Sequence, residues 1–127
     1  MNKKDLVHKE TTDAIIGCAF DVMNELGQGF LESVYEKALY AALVDRGHEV
    51  RVQFPIAVMF RGICVGNFLA DLLVDGKVIV ELKTVKALSS EHKAQTINYL
   101  KATGVEVGLL INFGNRHVDF HRLNRPD

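Results

Sequence analysis

Cysteine is scarce in this chain: Cys18 and Cys64 are its only two, far apart and in apolar surroundings. That excludes a disulfide framework and a cysteine-based metal site, and predicts two small buried thiols. No apolar window is long enough to cross a bilayer, and the start, Met1-Asn2-Lys3-Lys4-Asp5, leads into an amphipathic pattern with no signal-peptide core. No membrane partner is expected, and the location follows as cytoplasmic. Charge of one sign is also missing. A net charge of −1 excludes a protein that coats nucleic acid by charge alone. Repeats, low-complexity stretches, G-x-G-x-x-G and Walker loops, a G-x-S-x-G elbow and zinc-finger spacing are all absent. His117 and His121 share a four-residue spacing but have no cysteine or acidic partner pattern, so they read as surface or edge residues.

What is present is the composition of an ordinary folded domain. The chain has 127 residues, 48% of them hydrophobic and 24% charged, which suits one continuous core spanning 1–127. Its charge is unevenly spread: residues 1–49 hold five Lys/Arg against nine Asp/Glu, and residues 50–127 hold ten against seven. Lys83, Lys86, Lys93 and Lys101 gather in the second part, as a polyanion-binding face or simply as a solvated helix face.

Apolar residues at helical spacing predict a helix over 5–26, stopped by Gly27, and a second from about 31 to Gly47. Three strands follow at 50–60, 63–74 and 77–84, joined by Arg61-Gly62 and Asp75-Gly76, the latter a favoured type I′ hairpin turn. Ser89 or Ser90 caps a third helix that ends at Gly104, and a last hairpin runs 106–113 and 117–123 over Gly114-Asn115. The order α-α-β-β-β-α-β-β predicts an α/β (α+β) fold with a mixed sheet of about five strands flanked by helices. The strand at 77–84 and the strand after the third helix should be parallel.

Val78-Ile79-Val80-Glu81-Leu82-Lys83 reads as a strand buried on both faces. Buried carboxylates persist only when paired or bound to a cation. Glu81 and Lys83 point to one face, and pairing about the Asp75-Gly76 turn puts Asp71 opposite a residue near 80. Two close carboxylates, helped by the Leu82 carbonyl, are what Mg²⁺ or Mn²⁺ prefers, and a lysine beside such an ion can orient a water or offset charge on a phosphate. The competing explanation is a simple Glu81–Lys83 ion pair. Against it, Gln95 and Tyr99 lie four apart on one face of the third helix, with His92 three residues before Gln95.

Asp71, Glu81-Leu82-Lys83 and Gln95-Thr96-Ile97-Asn98-Tyr99 resemble the PD-(D/E)xK nuclease superfamily, whose RecB-like branch carries Q-x-x-x-Y on the helix after the lysine strand. Gly29-Phe30-Leu31-Glu32-Ser33-Val34-Tyr35 is similar to the signature of the GxxExxY group within it. The resemblance covers roughly residues 10–123, with Ala70 in place of the proline in the superfamily's name. It implies a restriction-endonuclease-like core, metal ligation by Asp71, Glu81, Glu32 and the Leu82 carbonyl, and catalysis by Lys83, Glu81, Asp71 and Gln95. Tyr99, His92, Lys86 and Lys93 are the expected substrate contacts. Glu32 has a second explanation as a helix-capping acid, and Tyr35 sits on the apolar stripe as a core residue.

The resulting expectation is a Mg²⁺- or Mn²⁺-dependent nuclease-like domain that hydrolyses phosphodiester bonds in DNA, with RNA as the alternative substrate and room for a homodimer. The alternative is a catalytically silent module of the same fold that binds nucleic acid or a protein partner. An α/β protein whose charges form an internal salt bridge is the third.

Overall fold

The computed structural model describes residues 3–127; Met1 and Asn2 lie outside the described residues. The elements are α1 (Lys3–Leu6), α2 (Lys9–Leu26), α3 (Glu32–Asp45), β1 (Val50–Phe60), β2 (Ile63–Val74), β3 (Val78–Lys83), α4 (Ser90–Thr103), β4 (Val107–Asn112) and β5 (Asp119–Asn124). The expected strands and third helix fall within a residue or two of these bounds. The first helix differs, because His8 adopts a left-handed conformation with φ 54° and splits it into α1 and α2. The break is held from afar: the Arg122 guanidinium donates to the Lys4 carbonyl at 2.7 Å and the Val7 carbonyl at 2.5 Å. It thereby satisfies carbonyls that a continuous helix would have bonded internally.

The sheet runs β1-β2-β3-β4-β5, antiparallel throughout except for the parallel pair β3–β4. Arg61-Gly62 and Asp75-Gly76 both have positive φ at the two central positions, 49° and 80°, then 54° and 66°, which is the type I′ signature. Asp75 also anchors the start of β1. Its Oδ1 accepts from the Glu49 N–H at 2.9 Å and its Oδ2 lies 2.7 Å from His48 Nδ1. Partial burial raises the Asp75 pKa, but the bonds from His48 and Glu49 outweigh it and leave the carboxyl below its ordinary 3.8. A lowered acid stabilises the fold above its ordinary pKa and loses that contribution as pH falls through the lowered value. Asp75→Ala is therefore expected to cost about 1–2 kcal/mol at pH 7 and distinctly less at pH 2 to 3, measured by urea unfolding at both.

Two cores sandwich the sheet. On one face Leu72, Val74, Val78, Val80 and Leu82 pack with α2 and α3 through Ile15, Cys18, Tyr35 and Leu39. On the other, Ala70, Leu73 and Ile79 pack with Tyr99 and Leu100 of α4. Residues two apart in a regular strand share a face, yet Leu72 belongs to the first core and Ala70 to the second. The irregularity lies at Asp71 and at Gln53 opposite, which is skipped in the β1–β2 register and has φ 49°. Beyond it β1 and β2 continue as a two-stranded arm, and the β2–β3 ladder ends at Leu72–Val80.

The arm leaves Met59, Phe60, Ile63 and Val65 exposed. Cys64 is exposed with them, contrary to the expectation of two buried thiols; only Cys18 is buried. The apolar neighbours that suggested burial form a projecting hairpin tip with no helix to cover them.

Candidate active site

The β2–β3 ladder is continued past Leu72–Val80 by side chains. Glu81 Oε1 accepts from the Asp71 N–H at 2.8 Å, and Asp71 Oδ2 accepts from the Leu82 N–H at 2.8 Å. The expected proximity of Asp71 to Glu81 is thus present in reciprocal form, each carboxylate held by the other strand's backbone. Each commits one oxygen to that clasp, and Asp71 is bonded by the Gln53 amide as well.

The electrostatics are lopsided. Glu81 is 5% exposed, and burial first, then the Asp71 charge, push its pKa from 4.5 up to about 8, against the opposing Asp71 N–H and Lys83. Burial also raises Asp71, opposed by the Leu82 N–H, Lys83 and the Gln53 amide. Glu32 is raised by burial and by Asp71, with Lys83 acting the other way. Glu36 is raised by burial and Asp71 as well, although Gln53 Nε2 donates to its Oε1 at 2.7 Å. The Tyr99 hydroxyl is raised by burial and then by Glu81 and Asp71. Asp71, Glu81 and Glu32 thus share the influence of Lys83, while Glu36 is coupled to Asp71 and has Lys37 beside it. Among the described residues, Lys83 makes no ion pair within 4.0 Å, so the internal Glu81–Lys83 salt bridge weighed from sequence is not formed.

Such a donor set fits a hard, oxygen-liganded cation. No three His, Cys, Asp or Glu side chains among the described residues already form a closed metal cage. Mg²⁺ tolerates this, since it commonly takes one or two carboxylates and keeps several waters. Asp71 and Glu81 are the residues best placed to hold it, with Glu32 as a nearby charge.

The surrounding elements fix these groups. Glu32 opens α3 after the N-cap Leu31, whose side chain makes no cap bond, and as the acid of the first turn it also suits the helix dipole. The buried Tyr35 secures the preceding loop: its hydroxyl donates to the Gly27 carbonyl at 2.7 Å and accepts from the Phe30 N–H at 3.2 Å. Its ring stacks on Phe113 at 4.9 Å. At the start of α4, His92 Nδ1 accepts from the Ser89 N–H at 3.0 Å while the Ser89 hydroxyl accepts from the His92 N–H at 3.2 Å. This capping box occupies the His92 ring. Tyr99 is buried beside the carboxylates, whereas Gln95 is exposed on the same helix and its side chain has no hydrogen bond among the described residues. Lys86 is exposed and Lys93 half-buried; neither forms an ion pair within 4.0 Å.

Sequence reasoning missed three supports. Gln53 links Glu36 to Asp71, and only an amide inside an apolar strand hinted at it. Asn112, fully buried, accepts at Oδ1 from the Val85 and Gly114 N–H groups at 3.0 and 2.9 Å and donates to the Val85 carbonyl at 2.8 Å. It holds the segment that leaves Lys83. Gly114 lets that segment pass closely. The signal for Asn112 was a polar residue ending an otherwise apolar strand.

A mixed five-stranded sheet with helices on both faces, carrying paired carboxylates where β2 parts from β3, defines the restriction-endonuclease-like fold. A sequence model of the PD-(D/E)XK nuclease superfamily matches residues 9–123, and the chain belongs to that superfamily. Its members generally use divalent metals. No curated protein matches the chain. The solved structure titled "Crystal structure of SSO0001" is similar over 98% of this chain and 63% of its own, at 19% identity and TM-score 0.55. An alkaline exonuclease, LHK-Exo, from Laribacter hongkongensis is similar over 74% of this chain and 55% of its own, at 16% identity and TM-score 0.56. The chain thus spans less than two-thirds of either structure, and the likeness is one of fold.

Proposed function

We propose that this chain is a single-domain, cytoplasmic Mg²⁺- or Mn²⁺-dependent nuclease of the RecB-like branch, in the GxxExxY group, that hydrolyses phosphodiester bonds in DNA, with RNA as the alternative substrate. The observation that carries the reading is the Asp71–Glu81 clasp itself, where two carboxyl groups meet at a buried strand end with no ion-paired lysine among the described residues. Asp71 and Glu81 hold the cation, supported by Glu32 and the Leu82 carbonyl. When bound, a divalent ion acts as Lewis acid and lowers the pKa of coordinated water. Lys83 orients the attacking water and offsets charge developing on the phosphate. Tyr99 positions the scissile strand through its hydroxyl beside both carboxylates. Gln95, Lys86 and Lys93 contact substrate around this centre, and His92 shapes the start of the helix that carries Gln95.

Two measurements test the proposal. Mg²⁺ or Mn²⁺ at millimolar concentration is expected to raise the melting temperature by several degrees, and Asp71→Ala to abolish the rise. A flat response of the unsubstituted protein rejects the metal site. A panel of single-stranded, duplex and branched DNA plus RNA with Mn²⁺ is expected to show cleavage lost in Lys83→Ala. Cleavage that survives in that variant rejects the assigned site, and a metal response without any cleavage identifies a silent binding module.

A further inference from the structure

A groove of about 870 Å³ lies between α4 and the distal β1–β2 arm, with Tyr99 in its wall. Tyr99 lies within electrostatic reach of Glu81 and Asp71, so the groove shares this residue with the surroundings of the carboxylate clasp. Its arm side offers Met59 and Phe68, and the Phe68 ring lies 5.7 Å from Tyr99, tilted by 44°. Its helix side offers the side-chain amides of Gln95 and Asn98, both exposed and neither hydrogen-bonded among the described residues. The charged lining residues are one of each sign, Glu91 and Lys101.

That combination selects its ligand by chemistry. A neutral trough is a poor seat for a phosphate backbone, which needs a positive surface. Aromatic faces beside free amide donors and acceptors suit nucleobases, which stack and present hydrogen-bonding edges. Paired bases in a duplex hide both their faces and their Watson–Crick edges, so only an unpaired strand can use the groove. We propose that the groove between α4 and the β1–β2 arm binds the bases of a single nucleic-acid strand. Phe68 is the stacking surface, backed by the buried Tyr99 ring, and Asn98 and Gln95 are the edge contacts. The inference rests on the nuclease reading for its substrate class, and it assigns the exposed apolar residues on this side of the arm a use.

Fluorescence anisotropy of labelled oligonucleotides in EDTA tests it apart from catalysis. The probes are a twenty-residue deoxythymidine strand, its uridine equivalent and a duplex of the same length. At least one single strand is expected to bind at least tenfold more tightly than the duplex, with a shallow salt dependence. Phe68→Ala is expected to weaken single-strand binding by roughly five- to one-hundred-fold, as loss of one stacked base does. Asn98→Ala, on an exposed helix face where alanine keeps the fold, should weaken it severalfold even if Phe68→Ala perturbs the arm. Val44→Ala, on exposed α3, should change nothing. Unchanged affinity in Asn98→Ala together with Phe68→Ala, equal binding of duplex, or no single-strand binding at about 100 µM overturns the inference. The metal-induced rise in melting temperature is measured on the same protein, so failure of the groove and failure of the metal site are separately visible.

Discussion

Glu81→Gln is expected to make the metal-free protein more stable at pH 8.5 while eliminating its cleavage activity and its response to Mg²⁺. Glu81 has a folded pKa of about 8 against an ordinary 4.5, with burial as the leading cause and the Asp71 charge second. The folded state therefore binds a proton that the unfolded state has already released. Between about pH 4.5 and 8 the metal-free protein loses stability as pH rises, and above 8 the penalty is complete. Its size is on the order of a few kcal/mol. Glutamine keeps an oxygen that can accept from the Asp71 N–H, and it carries no charge to desolvate. Thermal melts in EDTA at pH 5.5 and 8.5 check the sign: the variant's gain over the unsubstituted protein should be distinctly larger at the higher pH. Adding Mg²⁺ at pH 8.5 should then restore the unsubstituted protein alone. Equal pH dependence in both proteins would show that Glu81 is not the group under strain.

Gly114→Ala should be the most damaging small substitution in the chain. A Cβ at this position would stand 2.2 Å from the Val85 carbonyl oxygen, 2.4 Å from the Val85 nitrogen and 2.7 Å from the Thr84 carbonyl carbon. All three are backbone atoms, so no side chain can swing aside. The clash displaces residues 84–86, which Asn112 and Asn115 hold through bonds to the Val85 backbone and the Lys86 carbonyl. A loss of about 3–5 kcal/mol is expected, within the range for severe overpacking with broken buried hydrogen bonds. Urea unfolding measures it. Asn112→Ala offers a second approach, since it removes the same tether without overpacking and leaves buried backbone groups unpaired. If both variants melt like the unsubstituted protein, the tether is not what fixes the strand end that bears Lys83.

Most of the fold was legible because local signals agreed. Asp75-Gly76 and Arg61-Gly62 announced their turns, Ser89 and Gly104 bracketed α4, and the β-branched run before Glu81 announced a strand buried on both sides. The proximity of Asp71 to Glu81 followed from counting back from one turn. What escaped was decided by distant partners. The break at His8 depends on Arg122, more than a hundred residues away, and nothing near His8 marks a stop. The twist at Gln53 and Asp71 places two neighbouring stretches of one strand in different cores, while alternation rules assume a regular pleat. Cys64 looked buried because its neighbours are apolar, and periodicity cannot tell a core strand from a projecting one. His92 was read by helical spacing toward the site, whereas a backbone N–H one turn earlier engages its ring.

The reciprocal clasp between β2 and β3 gives the protein two built-in spectroscopic probes. The amide protons of Asp71 and Leu82 are donated to the carboxylates of Glu81 and Asp71, so their chemical shifts follow the protonation and ligation of those carboxylates without any label near the centre. Exchange of the same two protons with solvent reports whether the two strands stay zipped at that end. Occupancy of the site and cohesion of the sheet can thus be followed separately, residue by residue, in one NMR experiment.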